Sequence, residues 1–401
     1  MTRMKESGID WIGQIPEEWR VTKLKYALLI SNGKDYKDIE VEEGGYPVIG
    51  SGGVFARARN YMYDGDVVLL GRKGTIDKPL FYSGKFWTVD TMFYSTALNG
   101  NNIKFMYYSS LLIPFSYYST ATALPSMTQS DLNNHVLCLP SISEQQKIAD
   151  FLDKKTAQLD KAKALLEEQI QKLKDYRASL IYETVTKGLD KTVPMKDSGI
   201  DWIGQVPQGW GVDFANHIFE EHKQKNKGNK EKNLLSLSYG RIIRKSIDTS
   251  FGLLPESFDT YNIIQRGDIV LRLTDLQNDK RSLRVGLARE NGIITSAYLT
   301  LRLKSIGCSD SYMYYLLHTY DICKVFYNFG GGVRQGGTWS DIYKLKLLIP
   351  PYNEQTKITD FLDKKTVQID KLIKIKNQQI KNINRQRQTL IYDYVTGKRR
   401  V

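Results

Sequence analysis

One pair of acidic segments has the residue types that catalysis would need. Asp213 and the run Glu221-His222-Lys223 are the kinds of residue that hold a metal ion in a nuclease. They border a lysine- and asparagine-rich stretch, residues 222–232, which indicates a solvent-exposed loop or a contact to phosphate. The four histidines, at positions 135, 217, 222 and 318, lack the spacing of metal ligands.

Two further segments contain some residues of a phosphate-binding loop and of an amino-methyltransferase motif, but neither matches the full motif. Gly71-Arg-Lys-Gly-Thr75 lacks the gap that places a lysine on a nucleotide phosphate. Pro350-Pro351-Tyr352 matches the tail of an amino-methyltransferase motif, but the preceding Ile349 cannot accept a hydrogen bond from an amine. No glycine-rich cofactor loop accompanies it. None of these segments has the pattern of an active site.

The charge of the chain is uneven. Its 401 residues carry a net charge of +13, from 57 lysines and arginines against 44 aspartates and glutamates. Residues 1–194 hold 24 basic and 23 acidic residues, whereas residues 195–401 hold 33 and 21. A basic half beside a neutral half predicts a polyanionic partner or a solvated lysine surface. The sequence has no long apolar run, no signal-peptide core and three scattered cysteines, which predicts a cytoplasmic protein without a membrane partner.

The chain is a duplication. Residues 4–19 return as residues 195–210 with twelve of sixteen positions identical, and residues 144–162 return as residues 354–372 with fourteen of nineteen identical. Between these segments the two halves barely align. Each half therefore reads as a short tag, a dissimilar insert and a long helix. In each tag a tryptophan pair, Trp11 with Trp19 and Trp202 with Trp210, predicts either an aromatic anchor or a contact to a partner.

Two long segments predict paired helices, because residues 144–187 and 354–396 contain no proline and glycines follow at 188 and 397. Apolar residues recur every seven positions, which is typical of a coiled-coil seam. Lys376 interrupts the seam of the second copy. The predicted seam residues are Leu152, Leu159, Leu166, Leu173, Leu180, Leu362, Ile369, Ile373, Ile380, Ile383 and Leu390.

The inserts, rich in glycine, tyrosine, valine and isoleucine with short apolar runs between turns, predict mixed α/β-type domains. The expected class is α+β, with two such domains joined by two long antiparallel coiled-coil helices in an internal pseudo-two-fold repeat. The expected boundaries are 1–19 for the first tag, 20–143 for the first domain, 144–187 for the central helix, 188–210 for the linker and second tag, 211–353 for the second domain and 354–396 for the C-terminal helix.

On these residues the chain resembles the DNA-sequence specificity subunit of type I restriction-modification systems. The duplicated Ser-Gly-Ile-Asp-Trp-Ile-Gly tags, the Pro-x-x-x-Glu-Gln-x-Lys-Ile segments beginning at Pro140 and Pro350, and the Phe-Leu-Asp-Lys-Lys-Thr helix starts carry the resemblance. It implies a non-catalytic subunit in which each insert is a target recognition domain for one half of a bipartite, asymmetric site on double-stranded DNA. It further implies two modification subunits that use S-adenosylmethionine, with two restriction subunits that use ATP and Mg²⁺ as an optional addition, and no cofactor in this chain.

Candidate DNA contacts follow from polar residues beside glycines, where the backbone can approach phosphate closely, and from arginine and glutamine, which pair with guanine and adenine. In the first insert they are Ser51, Arg57, Arg59, Arg72, Lys73, Thr75, Ser126, Thr128 and Gln129. In the second they are Tyr239, Arg241, Arg244, Lys245, Arg272, Thr274, Asn278, Lys280, Arg281, Arg284, Arg334, Gln335 and Thr338.

Two other functions compete with a recognition subunit. The chain could be a self-contained DNA methyltransferase or nuclease, which would modify DNA without a partner. It could instead be a coiled-coil adaptor without a DNA role, whose assembled complex would show no steep dependence of DNA binding on salt.

Overall fold

The computed structural model describes residues 3–118, 125–246, 257–276, 283–328 and 337–401. The chain divides into two compact units, one formed by Met1–Glu167 with Asn377–Val401 and the other by Glu168–Lys376. Each unit therefore contains one tag, one insert, the beginning of one long helix and the end of the other.

The first unit and the helix that leaves it contain short strands and four α-helices in the described residues. The strands are β1 (Met4–Glu6), β2 (Gln14–Pro16), β3 (Arg20–Lys23), β4 (Leu28–Asn32), β5 (Glu40–Val41), β6 (Tyr46–Gly50), β7 (Gly53–Ala58), β8 (Tyr63–Gly71), β9 (Leu80–Thr88), β10 (Met92–Ala97) and β11 (Val136–Leu139). The helices are α1 (Ile103–Ser110), α2 (Phe115–Tyr118), α3 (Gln129–Asn134) and α4 (Ile142–Lys187).

The second unit follows the same general order. Its strands are β12 (Met195–Asp197), β13 (Gln205–Pro207), β14 (Gly211–Phe214), β15 (Phe219–Glu221), β16 (Leu235–Ser238), β17 (Arg241–Arg244), β18 (Asn262–Ile264), β19 (Ile269–Leu271), β20 (Val285–Leu287), β21 (Gly292–Ile294), β22 (Leu299–Leu303) and β23 (Lys346–Ile349). Its helices are α5 (Ala215–Ile218), α6 (Asp310–Ile322), α7 (Trp339–Ile342) and α8 (Tyr352–Val395).

The main sheets differ between the two inserts. In the first unit seven strands pair in the order β4-β10-β8-β9-β6-β7-β5, and all neighbours are antiparallel except β6 and β9. In the second unit four strands pair in the order β15-β22-β19-β20. One inner strand of each sheet has a continuous apolar and buried run, from Val67 to Leu70 in β8 and from Ile269 to Leu271 in β19. These runs form the middle of each core because both of their faces are covered.

Each insert is closed at its base by a pair of strands. β3 pairs antiparallel with β11 in the first unit, and β14 pairs with β23 in the second. The two ends of each insert therefore meet beside the start of a long helix. The mixture of helices and strands, two inserts and two long helices is the architecture that the sequence predicted.

The tags are β-hairpins, and each is anchored by one buried tryptophan. Trp19 is fully buried and its indole nitrogen donates to Glu144 at 3.1 Å, while Trp210 donates to Glu354 at 3.0 Å. Both glutamates lie in the first turn of a long helix. The anchoring interpretation therefore holds for these two tryptophans. Trp11 is 39% exposed and remains available to a partner.

A helix of each insert packs against the beginning of a long helix through the same polar contacts. The hydroxyl of Tyr108 donates to Asp153 at 2.7 Å, and that of Tyr315 donates to Asp363 at 2.6 Å. Burial and the adjacent carboxylate raise the pKa of Tyr315 well above its ordinary value, so the phenol keeps its proton. The frame thus holds both inserts in the same way.

The two long helices run antiparallel in both units. In the first unit Phe151 packs against Tyr394 with ring centroids 4.5 Å apart, and Asp160 lies 3.6 Å from Arg387. In the second unit Lys376 donates to Gln169 at 2.6 Å, and Arg177 lies 3.8 Å from Asp370. Partner numbers fall along one helix as they rise along the other, which defines antiparallel pairing. Lys376, the interruption of the predicted seam, thus has a polar partner.

Every predicted seam residue is buried or half-buried. Leu152, Leu362 and Ile369 are buried, and the others are half-buried. The heptad analysis named only part of the seam, because buried Ile170 occupies the second seam position of helix α4. Helices α4 and α8 each begin two residues before the predicted boundary, and Gly188 and Gly397 follow them with φ of +71°. This left-handed conformation is the one in which glycine ends a helix.

Candidate nucleic-acid interface

In the first unit two predicted contact segments form one surface. The backbone nitrogen of Gly74 donates to the Pro125 carbonyl at 2.8 Å, and that of Met127 donates to the Arg72 carbonyl at 2.9 Å. Lys73 and Ser126 also form an isolated β-bridge. The loop that follows β8 is therefore joined to the loop that precedes α3. We call residues 72–75 with 125–128 the first loop pair.

The second unit builds an equivalent surface from unlike residues. The nitrogen of Gly337 donates to the Leu273 carbonyl at 2.7 Å, which joins the loop after β19 to the loop before α7. We call residues 272–274 with 337–338 the second loop pair. Met127 and Gly337 each directly precede the threonine of a Thr-x-x-Asp segment, and they donate to the carbonyls of Arg72 and Leu273. The next residues, Lys73 and Thr274, therefore occupy corresponding positions.

Both loop pairs end in the same helix cap. The hydroxyl of Thr128 donates to Asp131 at 2.5 Å, and the hydroxyl of Thr338 donates to Asp341 at 2.7 Å. The hydrogen bond holds the pKa of the Asp341 carboxyl below its ordinary value, so the cap is charged at neutral pH. The sequence signal was available, since Thr-x-x-Asp recurs 210 residues later, at the same offset as the long helices. Our sequence analysis missed it.

The side chains of the loop pairs differ in how free they are. Lys73, Thr274 and Thr338 are exposed, while Arg72, Thr75, Ser126 and Arg272 are half-buried. Arg72 donates one N–H to the Asp90 carbonyl at 3.3 Å and lies over the Phe93 ring. Gln129 donates to the Ile30 carbonyl at 2.6 Å. Because a guanidinium has five donors, Arg72 keeps others for a ligand.

Three predicted contacts of the first unit lie on a separate hairpin. Ser51 is at the turn between β6 and β7, and Arg57 and Arg59 follow on the exposed side. Arg57 donates to the Gly45 carbonyl at 3.1 Å and Arg59 to the Asp38 carbonyl at 3.2 Å. Each arginine is fixed at one end by the backbone and keeps further donors toward solvent.

The hairpin of β16 and β17 holds four predicted contacts of the second unit. Tyr239 stands at its tip with 83% exposure and a φ of +47°. Arg241 forms an ion pair with Asp370, and Arg244 donates to Glu290 at 2.7 and 2.9 Å. These two arginines already have carboxylate partners on the protein. Lys245 is exposed, so Tyr239 and Lys245 are the freer pair.

The prediction for Arg284 is wrong. Its side chain is fully buried and donates to the carbonyls of Arg272, Thr274 and Asp275 at 3.1, 2.7 and 3.2 Å. The guanidinium also lies over the Tyr327 ring, 5.2 Å from its centroid. Arg284 cannot reach a nucleic acid, because it is the internal support of the second loop pair. The remaining predicted contacts, Asn278, Lys280, Arg281, Arg334 and Gln335, lie outside the described residues.

The segment Pro350-Pro351-Tyr352, which partly matches a methyltransferase motif, has a structural role. The side chain of Gln355 donates to the Pro350 carbonyl at 2.9 Å, and Gln145 donates to the equivalent Pro140 carbonyl at 3.1 Å. Both prolines therefore belong to the repeated start of a long helix. Within the described ranges, histidine, cysteine and acidic residues form no group that could hold a metal ion. In the same part of the chain, none of the helices has the length and apolar character needed to cross a membrane.

Fold and interface together define a duplicated binding protein, with two unlike loop surfaces on one repeated frame. The family model described as the type I restriction modification DNA specificity domain matches residues 16–174 and 283–385. The chain therefore belongs to this family.

Two relatives match along nearly the whole chain. A putative type I restriction enzyme MjaX specificity subunit of Methanocaldococcus jannaschii is 24% identical over 97% of this chain and 96% of its own length. The MjaVIII specificity subunit of the same organism is 22% identical over 97% and 94%. A solved chain from work on complex assembly and conformational transition of the type I restriction-modification system has a TM-score of 0.68 at 14% identity, over 95% of this chain and 98% of that one. That likeness supports the fold.

Proposed function

We propose that this chain is a non-catalytic specificity subunit that recognises a bipartite, asymmetric DNA sequence and directs partner subunits to it. The observation that carries the proposal is the pair of corresponding loop surfaces with unlike side chains. A repeated frame that holds two different surfaces suits a site whose two halves differ, because base contacts specify the sequence while the frame positions the protein.

The chemistry of each loop pair suggests a division of work. Lys73 is exposed beside Gly74, where the backbone can approach a phosphate closely. Arg72 is held over Phe93 and keeps free donors of the kind that pair with guanine. At the position of Lys73 the second loop pair has Thr274, whose hydroxyl both donates and accepts hydrogen bonds. We therefore assign different half-sites to the two units.

The long helices would fix the gap between the half-sites. A two-helix coiled coil is stiffer than a single flexible linker, so its length can set a fixed number of base pairs. The hydrogen bonds from Tyr108 and Tyr315 to the helices tie each insert to this frame. Two unlike inserts attached in the same way to paired helices would suit recognition of two different half-sites at a fixed separation.

The names of the relatives place them in type I restriction enzymes, in which this chain would work with other subunits. We propose two modification subunits that bring S-adenosylmethionine, with restriction subunits that use ATP and Mg²⁺ where the system includes them. The expected location is the cytoplasm, where the DNA and these partners are found. The rival functions, an independent methyltransferase or nuclease and an adaptor without a DNA role, find no support in the family.

Sequencing of methylated bases tests the proposal directly. Cells with the wild-type chain should carry one asymmetric bipartite methylated sequence, and cells without it should lose that sequence. The double variant Arg72→Ala and Lys73→Ala should relax or abolish one half-site and leave the other half unchanged. Thr274→Ala is the matched variant in the second unit and should affect the opposite half. Methylation of DNA by the purified chain with S-adenosylmethionine alone would refute the proposal, and so would equal relaxation of both halves by one variant.

A further inference from the structure

The C-terminal helix α8 carries an exposed basic stripe, which we define as Lys371, Lys374, Lys381 and Arg385. With Gln378 these residues are spaced by three or four positions, so they share one side of the helix. All are exposed, whereas the seam positions Ile373, Ile380 and Ile383 are half-buried. The stripe therefore lies on the side of α8 that faces away from its partner helix.

The duplication provides an internal comparison for this stripe. Residues 371–392 of α8 hold six basic and no acidic residues, while the equivalent residues 161–182 of α4 hold five basic and three acidic residues. At the positions of Lys374, Lys381 and Arg385, helix α4 has Ala164, Gln171 and Asp175. The two helices have equivalent seams and equivalent contacts to their inserts, but the charges on their outer sides differ.

The basic residues of the two helices also differ in their partners. On α4, Lys163 lies 3.8 Å from Glu167 and Lys172 lies 2.6 Å from Glu168, one turn away in each case. Among the described residues, no ion pair is found for the four members of the stripe on α8. Like charges three or four residues apart on one side of a helix destabilise it slightly. The stripe is thus slightly unfavourable for the free chain.

We propose that the basic stripe binds the phosphate backbone of double-stranded DNA without reading its sequence. The inference rests on the proposed function in one respect, that DNA is the polyanion this chain meets. Lysine and arginine in a row along a helix neutralise phosphates and release counterions, which gives affinity that depends on salt and not on sequence. The contact would add to those of the two recognition domains and would accord with the basic second half of the chain.

The test compares two triple variants of the full chain that have the same change in charge. Lys374→Ala, Lys381→Gln and Arg385→Gln remove three charges from the stripe and introduce good helix formers. The matched control is Lys154→Ala, Lys161→Ala and Lys174→Ala, three exposed residues of α4. Fluorescence anisotropy with a random-sequence duplex of 40 base pairs gives the dissociation constant at several NaCl concentrations.

The stripe variant should lower the magnitude of the slope of log affinity against log salt by about 2.7, at about 0.9 per phosphate contact, and weaken binding more than tenfold at 100 mM NaCl. The control should keep the wild-type slope. An unchanged slope in the stripe variant, or an equal fall in both variants, would overturn the proposal. So would loss of co-purification with the modification subunit at an unchanged slope, which would mean that the stripe binds a protein.

Methylated-base sequencing separates this inference from the proposed function. The stripe variant should still direct methylation to both wild-type half-sites, at reduced occupancy. A change in the bases of either half-site would contradict sequence-independent binding. If the wild-type chain directed no methylation, the proposed function would fail, while the salt measurement on the purified chain would still decide the role of the stripe.

Discussion

Arg284→Ala should destabilise the second unit strongly. The guanidinium donates to three carbonyls of residues 272–275, at distances from 2.7 to 3.2 Å, and to the Tyr327 hydroxyl at 3.2 Å. A buried acceptor without a donor costs about 1–3 kcal/mol. Because Thr274 borders solvent, part of the loop can rehydrate. We therefore expect the free energy of unfolding to fall by about 3–5 kcal/mol.

Urea unfolding followed by tryptophan fluorescence measures this loss, and two variants calibrate it. Arg284→Lys keeps the charge but replaces the planar fork with a single ammonium, so about half of the loss should remain. Thr274→Ala removes an exposed hydroxyl from the same loop and should change the free energy of unfolding by less than about 0.5 kcal/mol.

The two possible roles of Arg284 give opposite results. As an internal support it affects stability first, and Thr274→Ala affects the half-site without affecting stability. If Arg284→Ala left the urea midpoint unchanged and relaxed one half of the methylated sequence, Arg284 would be a DNA contact and our account of its burial would be refuted.

Three further predictions concern the second unit and the long helices. Burial and the positive charge of Arg177 lower the pKa of His318 to about 4, below the value of about 6.5 in the unfolded chain, so the unfolded state binds the proton first. The free energy of unfolding should therefore fall as the pH drops from about 6.5 to about 4. In urea titrations, His318→Leu should make the fall in this free energy between pH 7 and 4.5 smaller by about 2–3 kcal/mol. A fall of the wild-type size in the variant would contradict this prediction. Asp370→Asn should lower the free energy of unfolding by about 1–2 kcal/mol because Asp370 faces both Arg177 and Arg241. Asp160→Asn removes a single ion pair with Arg387 and should lower it by less than about 1 kcal/mol. Equal shifts of the melting temperature in the two variants would contradict this prediction. Removing one heptad from each long helix shortens the frame by about 10 Å, so methylated-base sequencing should show a gap about three base pairs shorter between unchanged half-sites, and altered half-sites would speak against a spacer role.

The repeat made much of this protein accessible from its sequence. Two near-identical segments, at offsets of 191 and 210, determined the tags, the long helices and the presence of two unlike inserts between them. Seven-residue spacing determined which helix sides meet, because only one side of a helix can face its partner along its whole length. The expectation of a polyanionic partner came from the uneven charge, and the family resemblance came from the repeated motifs.

The loop surfaces depended on tertiary structure. The joining of residues 72–75 to residues 125–128 rests on hydrogen bonds between segments about fifty residues apart, and local sequence has no signal for such a pairing. The role of Arg284 is a similar case. In the sequence it is one arginine of a basic segment, but in the structure it lies just before β20 with its side chain buried, and three backbone carbonyls accept its donors. A sequence records which charges are present, whereas burial and partner geometry decide which of them a ligand can reach.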